Sequence, residues 1–382
     1  MSNFMGRTIF ITGAAGYVGE MLCEQFALRE DVERIIALDK LPQTESTKAI
    51  NKLFYIEANL ADNSWQEEVA KFEPDTIIHT AWQIRALYGN EKEQWRWNVV
   101  GSENVFTFAF ANTFVSRLVY FSTASSYGAR TDNTLEHYFT EAEGFRDDDY
   151  IYALEKKTVE ECLEAKFKEA TDGEKHVPQI FVLRPAAVTG PRGRYLRNRF
   201  GLQSALQGNL QGGFMYRLVT TLTAFFPATP LWARQFIHED DVTDIVTLFT
   251  FDYFSHKYQV FNITPTGEPV LAADMAGAVK KKVLPIYPWM ARVVFFVFWH
   301  LSRGKVPTCP GSWRFYSYPI LMSGDKLAII YTCQYSSKEA FQYTDGRYEA
   351  QIPVTLKKSR PIKLAENSFE KAEENGEGGE LI

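Results

Sequence analysis

Tyr152 and Lys156 stand four residues apart in the run Tyr152-Ala153-Leu154-Glu155-Lys156, which follows the acidic turn Asp147, Asp148, Asp149. The segment over residues 150–168 reads as a helix, and at that spacing both side chains share one face. A phenol beside an ammonium can transfer protons. An unperturbed phenol titrates near ~10, and a positive charge at close range favours its ionised form. A Tyr and a Lys at this spacing also occur on ordinary surface helices, so the pair gains meaning only if the chain builds a site for it to serve.

A second constellation begins to build one. The apolar, β-branched run Arg7–Thr12 ends in Gly13-Ala14-Ala15-Gly16-Tyr17-Val18-Gly19. A helical pattern follows, with Val18, Met21, Leu22 and Phe26 on one side, and then a strand over residues 34–38 that ends at Asp39. Strand, glycine turn, helix, strand and acid form a βαβ unit suited to a dinucleotide. The glycines let the backbone approach a pyrophosphate, the helix start offers N–H donors, and Asp39 can accept from ribose hydroxyls. A carboxylate at this position repels a 2′-phosphate, which predicts NAD rather than NADP.

These residues need a frame. Strand-like runs recur at residues 53–58, 76–81, 118–122 and 180–183, with helical stretches at 64–72, 92–111 and 150–168 between them. Such alternation predicts an α/β fold, a Rossmann-type doubly wound parallel sheet covered on both faces. Ligands of such sheets lie at the carboxyl ends of the strands, where Asn59, His79, Thr123 and Arg184 fall. From Pro185 the alternation gives way to Gly-, Pro- and aromatic-rich connections over 190–232. A strand-and-helix piece returns at 235–251 and a strand at 259–263. The expected division is a nucleotide-binding domain of residues 1–184, rejoined by 235–263. Residues 185–234 and 264–360 would form a smaller mixed α/β C-terminal substrate-binding cap, followed by a disordered acidic tail over 361–382. No internal repeat is visible.

The 382 residues suffice for one large domain or two smaller ones, and the net charge of −6 comes with no basic cluster that would mark a nucleic-acid surface. Cys23, Cys162, Cys309 and Cys333 are scattered and form no CxxC pair, which predicts reduced thiols in a cytoplasmic protein and no metal site. No basic region with a small-residue cleavage site precedes the first strand, so no signal peptide is expected. The longest apolar stretch, residues 283–301, is broken by Pro285, Pro288 and Arg292, and its uninterrupted part, 293–299, is too short to span a bilayer.

In order along the chain stand TGAAGYVG at 12–19, Asp39, HTAW at 79–82, Asn98 with Gly101, STASSYG at 122–128, YALEK at 152–156, LRPAAVTGP at 183–191 and RQFIHEDDV at 234–242. This series resembles the extended short-chain dehydrogenase/reductase family of NAD-dependent epimerases and dehydratases, in particular its UDP-glucose 4-epimerase-like members, over about residues 7–345. The resemblance implies NAD held by Gly13, Ala15, Gly16, Tyr17, Val18, Gly19, Asp39, Asn59, Leu60, Thr80, Ala81, Tyr152, Lys156 and Pro185. It makes Tyr152 the general acid and base. Lys156 would hold the nicotinamide ribose and depress the Tyr152 pKa, Thr123 would hydrogen-bond the reacting oxygen, and Asn98 would support the site. Thr123, Ser125 and Arg234 would meet the substrate, Arg234 by contacting its diphosphate. His79 has no proton-transfer partner in its motif and is expected to be structural.

Two departures from the family pattern matter. Asn59 replaces the usual Asp beside the adenine, and Ala186-Ala187 removes a polar contact that many sugar epimerases make. The expected function is epimerisation of a nucleotide sugar, in which a hydroxyl is oxidised to a transient ketone and hydride then returns. An alternative is a net dehydrogenase or ketone reductase for a less polar, sterol-like or aromatic alcohol. It is motivated by Ala186, Ala187 and by aromatics including Phe214, Tyr216, Phe225, Phe226, Trp232, Trp289 and Phe295. The run 293–299 could also touch a membrane surface, although it lacks a flanking Lys/Arg face, with only Arg292, Arg303 and Lys305 nearby. Ala124 and Ser125 after Thr123 disfavour a 4,6-dehydratase, which uses an acid pair there. Retention of Thr123, Tyr152 and Lys156 argues against a binding protein without chemistry. Arg192, Arg194, Arg197 and Arg199 read as a solvated face from which an anionic substrate could recruit one or two. The resemblance implies a homodimer through the helices at 92–111 and 150–168, the first carrying Trp95, Trp97, Val100, Phe106 and Phe110.

Overall fold

The computed structural model describes residues 6–146, 149–193, 225–278 and 280–361. Seven parallel strands form the central sheet: β1 (Arg7–Thr12), β2 (Val32–Asp39), β3 (Leu53–Glu57), β4 (Thr76–His79), β5 (Arg117–Phe121), β6 (Gln179–Pro185) and β7 (Tyr258–Ile263). Their order is β7-β6-β5-β4-β1-β2-β3. The chain runs outward from β1 to β3, returns to lay β4 on the other side of β1, and continues outward again. A crevice therefore opens above the carboxyl ends of β1 and β4.

Both faces of the inner strands β1, β4 and β5 are buried, which is why they read as apolar runs rather than as alternating ones. Ile9 and Ile11 enter one core layer with Phe26, Phe181 and Phe249, while Phe10 enters the other with Trp65, Phe106 and Tyr120. Truncating a side chain as deeply placed as Phe10 costs about 3–5 kcal/mol. A third, smaller apolar cluster gathers Phe226, Trp232, Phe236 and Phe341 beside the sheet. Strand Ala187–Thr189 pairs with Phe236–His238, and Ala233–Arg234 pairs with Val270–Leu271, so Arg234 is carried by the polypeptide that follows β6.

Several elements differ from expectation in ways that bear on the site. The strand expected over 76–81 stops at His79, because Thr80 and Ala81 leave the ladder to cross the glycine turn. The helix expected over 64–72 is the shorter Gln66–Ala70. The helix expected over 92–111 contains a π-turn, Arg96–Val100, centred on Asn98. Such a turn re-aims side chains at functional sites. The helix carrying Tyr152 starts at Ile151 and runs to Asp172. Phe214, Tyr216, Arg194, Arg197, Arg199, Asp147, Asp148 and residues 362–382 of the expected tail lie outside the described residues.

Candidate active site

A cavity of about 660 Å³ lies over the strand ends and is walled by both constellations found in the sequence. Its cofactor half is shaped by backbone. Gly13 has φ +73, and a Cβ there would lie 2.6 Å from the Ala81 nitrogen. A Cβ on Gly19 would lie 2.2 Å from the Gly13 carbonyl oxygen. No side chain fits either position. The turn is thus pressed against the end of β4 and opens directly into the helix Tyr17–Ala27. Gly13, Gly16, Tyr17, Val18, Gly19, Asp39, Asn59, Leu60, Thr80 and Ala81 all line this half.

Ala15 is not on the wall. Its N–H donates to Asp39 Oδ2 at 3.1 Å, while Leu41 N–H reaches Oδ1 at 3.0 Å, so the carboxylate is held from two sides. Burial pushes the Asp39 pKa up, against these two hydrogen bonds. Asn59 turns its carbonyl toward Ala61 N–H at 3.0 Å, and Thr80 donates to the Thr12 carbonyl at 2.7 Å. A glycine cradle at a helix start with a fixed carboxylate beside it has the donors and the acceptor that a dinucleotide needs.

The other half brings Asn98, Thr123, Ser125, Tyr152, Lys156, Pro185 and Arg234 to the same cavity. Thr123 follows β5 and caps the short turn Ala124–Tyr127 by accepting Ser125 N–H at 3.2 Å. It is also hydrogen-bonded to the Tyr152 hydroxyl. The Tyr152 pKa is raised, chiefly by burial. The Thr123 hydrogen bond pulls it down, and the Glu155 charge adds to the rise.

The expectation that Lys156 lowers this phenol is not what the chain alone provides. The Lys156 ammonium donates to the Phe121 carbonyl and stands 3.6 Å from the centre of the Trp82 ring. Burial drives the Lys156 pKa well down, opposed by Glu160 and Glu155. Its charge is thereby engaged with an aromatic wall rather than with Tyr152.

Asn98 works through neighbours. Its carbonyl accepts Gln83 N–H at 2.7 Å, and its amide donates to the Gln83 carbonyl at 3.0 Å and to Glu155 Oε2 at 2.7 Å. Glu155 is fully buried, accepts a second bond from Gln94 at 3.1 Å, and has its pKa raised by burial. His79 lies inside the fold between Thr12 Oγ1 (2.7 Å) and Ser102 Oγ (2.8 Å), and burial pushes its pKa down to about 3. It is neutral and structural, as expected. Arg184 is buried against Glu160 and donates to the Tyr127 hydroxyl at 2.6 Å. Arg192 is likewise buried in ion pairs with Glu20 and Glu24, at 2.7 and 2.6 Å, and does not reach the cavity.

Arg234 does reach it. Its guanidinium donates to the Ala233 carbonyl at 2.7 Å and lies 5.4 Å from the Trp232 ring. Withdrawal from water pulls its pKa down to about 10. Ala186 and Ala187 also line the cavity, together with Tyr150, Phe315 and Tyr318. The Tyr150 ring stands 4.7 Å from Phe315 and 5.7 Å from Tyr152.

Trp82, Glu155, Phe315 and Tyr318 are the site neighbours that sequence reasoning missed. Trp82 ends the HTAW motif, and Glu155, three residues after Tyr152, falls on the same helix face. Phe315 and Tyr318 carry no local signal.

The model of the NAD dependent epimerase/dehydratase family matches residues 9–264. The chain belongs to that family. NAD is therefore its cofactor and catalysis its business, in keeping with the fit of the glycine cradle and Asp39. Solved structures agree on the fold of this NAD dependent epimerase/dehydratase chain. The Bordetella bronchiseptica enzyme WbmG in complex with NAD aligns with TM-score 0.63 at 20% identity, covering 89% of this chain and 93% of that one. UDP-glucose 4-epimerase with UDP-glucose from Thermotoga maritima aligns at 0.62 and 18% identity, covering 88% and 97%. The dTDP-glucose 4,6-dehydratase of Bacillus anthracis in complex with NAD aligns at 0.62 and 15%, covering 89% and 95%. No curated protein matches the sequence.

Proposed function

We propose that the chain is an NAD-dependent epimerase of a nucleotide sugar. The observation that carries this reading is Arg234. Its guanidinium lines the substrate half of the cavity, and among the described residues no carboxylate pairs with it. A planar fork of donors in such a place suits a diphosphate. Structures of this fold that hold UDP or UDP-glucose support the same class of substrate.

NAD, when bound, supplies the acceptor for the carbinol hydride and its return. Tyr152 would take the hydroxyl proton, with Thr123 hydrogen-bonded to the reacting oxygen and to the phenol. Lys156, from the cavity wall, would hold the nicotinamide ribose and bring its charge toward Tyr152. The transient ketone would turn within the cavity and present its other face, and Tyr152 would then return the proton. Ala124 and Ser125 offer no acid pair for elimination of water, which speaks against dehydration. Pairing of two copies through the helices around Trp95 and Leu154 belongs to the same proposal. Both residues are exposed, whereas Phe106 is committed to the core.

A second reading rests on Ala186, Ala187 and the rings of Tyr150, Phe315 and Tyr318, which suit a less polar alcohol oxidised or formed with net consumption of cofactor. One experiment separates the two. The purified protein is checked for retained NAD by absorbance and mass, then incubated with a panel of UDP- and other nucleotide-hexoses. Sugar interconversion without added cofactor is the expected result. Turnover that requires added NAD and accumulates NADH would replace the epimerase with the dehydrogenase.

A further inference from the structure

The helix Pro288–Ser302 has the sequence PWMARVVFFVFWHLS and is apolar nearly all the way round. Such a helix belongs where apolar matter meets both of its sides. One side has it. Ala291 and Trp299 are buried, the Trp299 ring lies 5.3 Å from Tyr88, and the Phe295 ring lies 5.4 Å from Tyr316. The opposite side carries Trp289, Val293, Phe296, Val297 and Leu301 at helical spacing. All are exposed, with Trp289 at 65%, Phe296 at 64% and Leu301 at 67%. Val283, Leu284 and Tyr287, exposed just before the helix, continue the apolar surface.

Charge is the second observation. Residues 275–324 contain no Asp or Glu, in a chain whose net charge is −6. The same stretch holds Lys280, Lys281, Lys282, Arg292, Arg303 and Lys305, together with Arg314, which pairs with Asp149. An apolar stripe with two aromatic rings, whose neighbours in sequence are cations and include no acid, matches the boundary of an anionic bilayer, where rings sit among headgroups and Lys and Arg meet the negative surface.

We propose that this face docks the protein peripherally on an anionic membrane surface. A second copy of the chain is the competing occupant, but two-fold pairing on this face would bring cations against cations with no acid in the segment to relieve them. Docking is in the plane of the interface, because a helix of 15 residues falls short of the ~20 needed to cross. None of the described helices is long and apolar enough to do so. The docked face also connects to the cavity. The helix packs on Ser312–Ser317, whose Phe315 lines the cavity. At its other end His300 Nδ1 meets the Tyr88 hydroxyl at 3.1 Å. The substrate half would thereby be held close to the bilayer.

Co-sedimentation of the full-length protein with vesicles of phosphatidylcholine, with and without phosphatidylserine, tests the proposal. Binding is expected to the serine-containing vesicles and to weaken in high salt. The double variant Trp289→Ser with Phe296→Ser should lose at least about tenfold in partitioning. Lys280→Glu with Lys281→Glu and Lys282→Glu should lose binding to the serine-containing vesicles while keeping the same melting curve. Circular dichroism confirms that each variant is folded. A folded wild type that ignores both vesicles overturns the proposal, as do folded variants that bind as well as the wild type. A dimer that the Trp289/Phe296 variant dissolves, in a protein that does not sediment with vesicles, assigns the face to a second copy instead.

Discussion

The two halves of the cavity are built by different means. In the cofactor half, Gly13, Gly16, Gly19 and Asp39 come from one βαβ unit, and the shape is set by where a Cβ cannot be. In the substrate half, Tyr150, Ala187, Arg234, Phe315 and Tyr318 come from four separated segments, and the surface is set by which side chains they bring. The first half has one solution, since any residue larger than glycine collides with backbone at Gly13 or Gly19. The second can be rewritten side chain by side chain without touching the sheet. Cofactor chemistry is therefore a property of the fold here, and substrate choice a property of the residues hung on it.

Tyr152 carries the proposed proton transfer to which both halves contribute, so its removal gives the largest effect. Tyr152→Phe should lower kcat by about 10²–10⁴-fold and leave NAD affinity, read by titration of cofactor fluorescence, as in the wild type. Loss of both together would mean that the halves are not separable. Arg234→Ala should act on the substrate half alone. It should raise KM for a nucleotide sugar about 10- to 100-fold, in line with a lost charge-assisted contact, with NAD binding intact. An unchanged KM would favour the less polar substrate. Asp39→Ser is the mirror image. It should weaken NAD binding and narrow its preference over NADP about tenfold, the scale of one lost contact to the ribose hydroxyls, with KM for the substrate unmoved.

The same contrast governs what could be read from the sequence. Strand β1, the glycine turn and Asp39 are legible because their meaning is local: spacing along one βαβ unit determines where they lie. That the sheet is parallel and covered on both faces follows once the alternation is seen, whereas the order of its strands does not. Lys156 shows where local reading stops. Its spacing from Tyr152 is right, yet its ammonium crosses to the carbonyl of Phe121, the last residue of β5, and to the ring of Trp82, three residues past the end of β4. That choice depends on packing across strands. The π-turn that aims Asn98 at Glu155 and Gln83 has no mark in residue type either. Arg234 is legible from its motif, but its freedom from a carboxylate partner is not, and Arg192, the same residue type, turns out to be consumed by Glu20 and Glu24.

The smallest effects come from the residues that tune Tyr152 without touching the substrate's far end. In the proposed role of general base Tyr152 acts deprotonated, so kcat/KM should rise with pH as the phenol ionises. The Thr123 hydrogen bond lowers the phenol's pKa and the Glu155 charge raises it. Thr123→Ala should therefore move the rising limb to higher pH, whereas Glu155→Gln should move it to lower pH. The Gln oxygen can still accept from Gln94 and Asn98, which both now donate to Glu155 Oε2, so the helix stays in place. Glu155 also supports the charged form of Lys156, and its neutralisation should make Lys156 easier to deprotonate and weaken NAD binding slightly. Opposite displacements of the two pH profiles would identify Tyr152 as the titrating group. Displacement in the same direction would assign the titration elsewhere and would break the claim that both halves of the cavity contribute to proton transfer at this phenol.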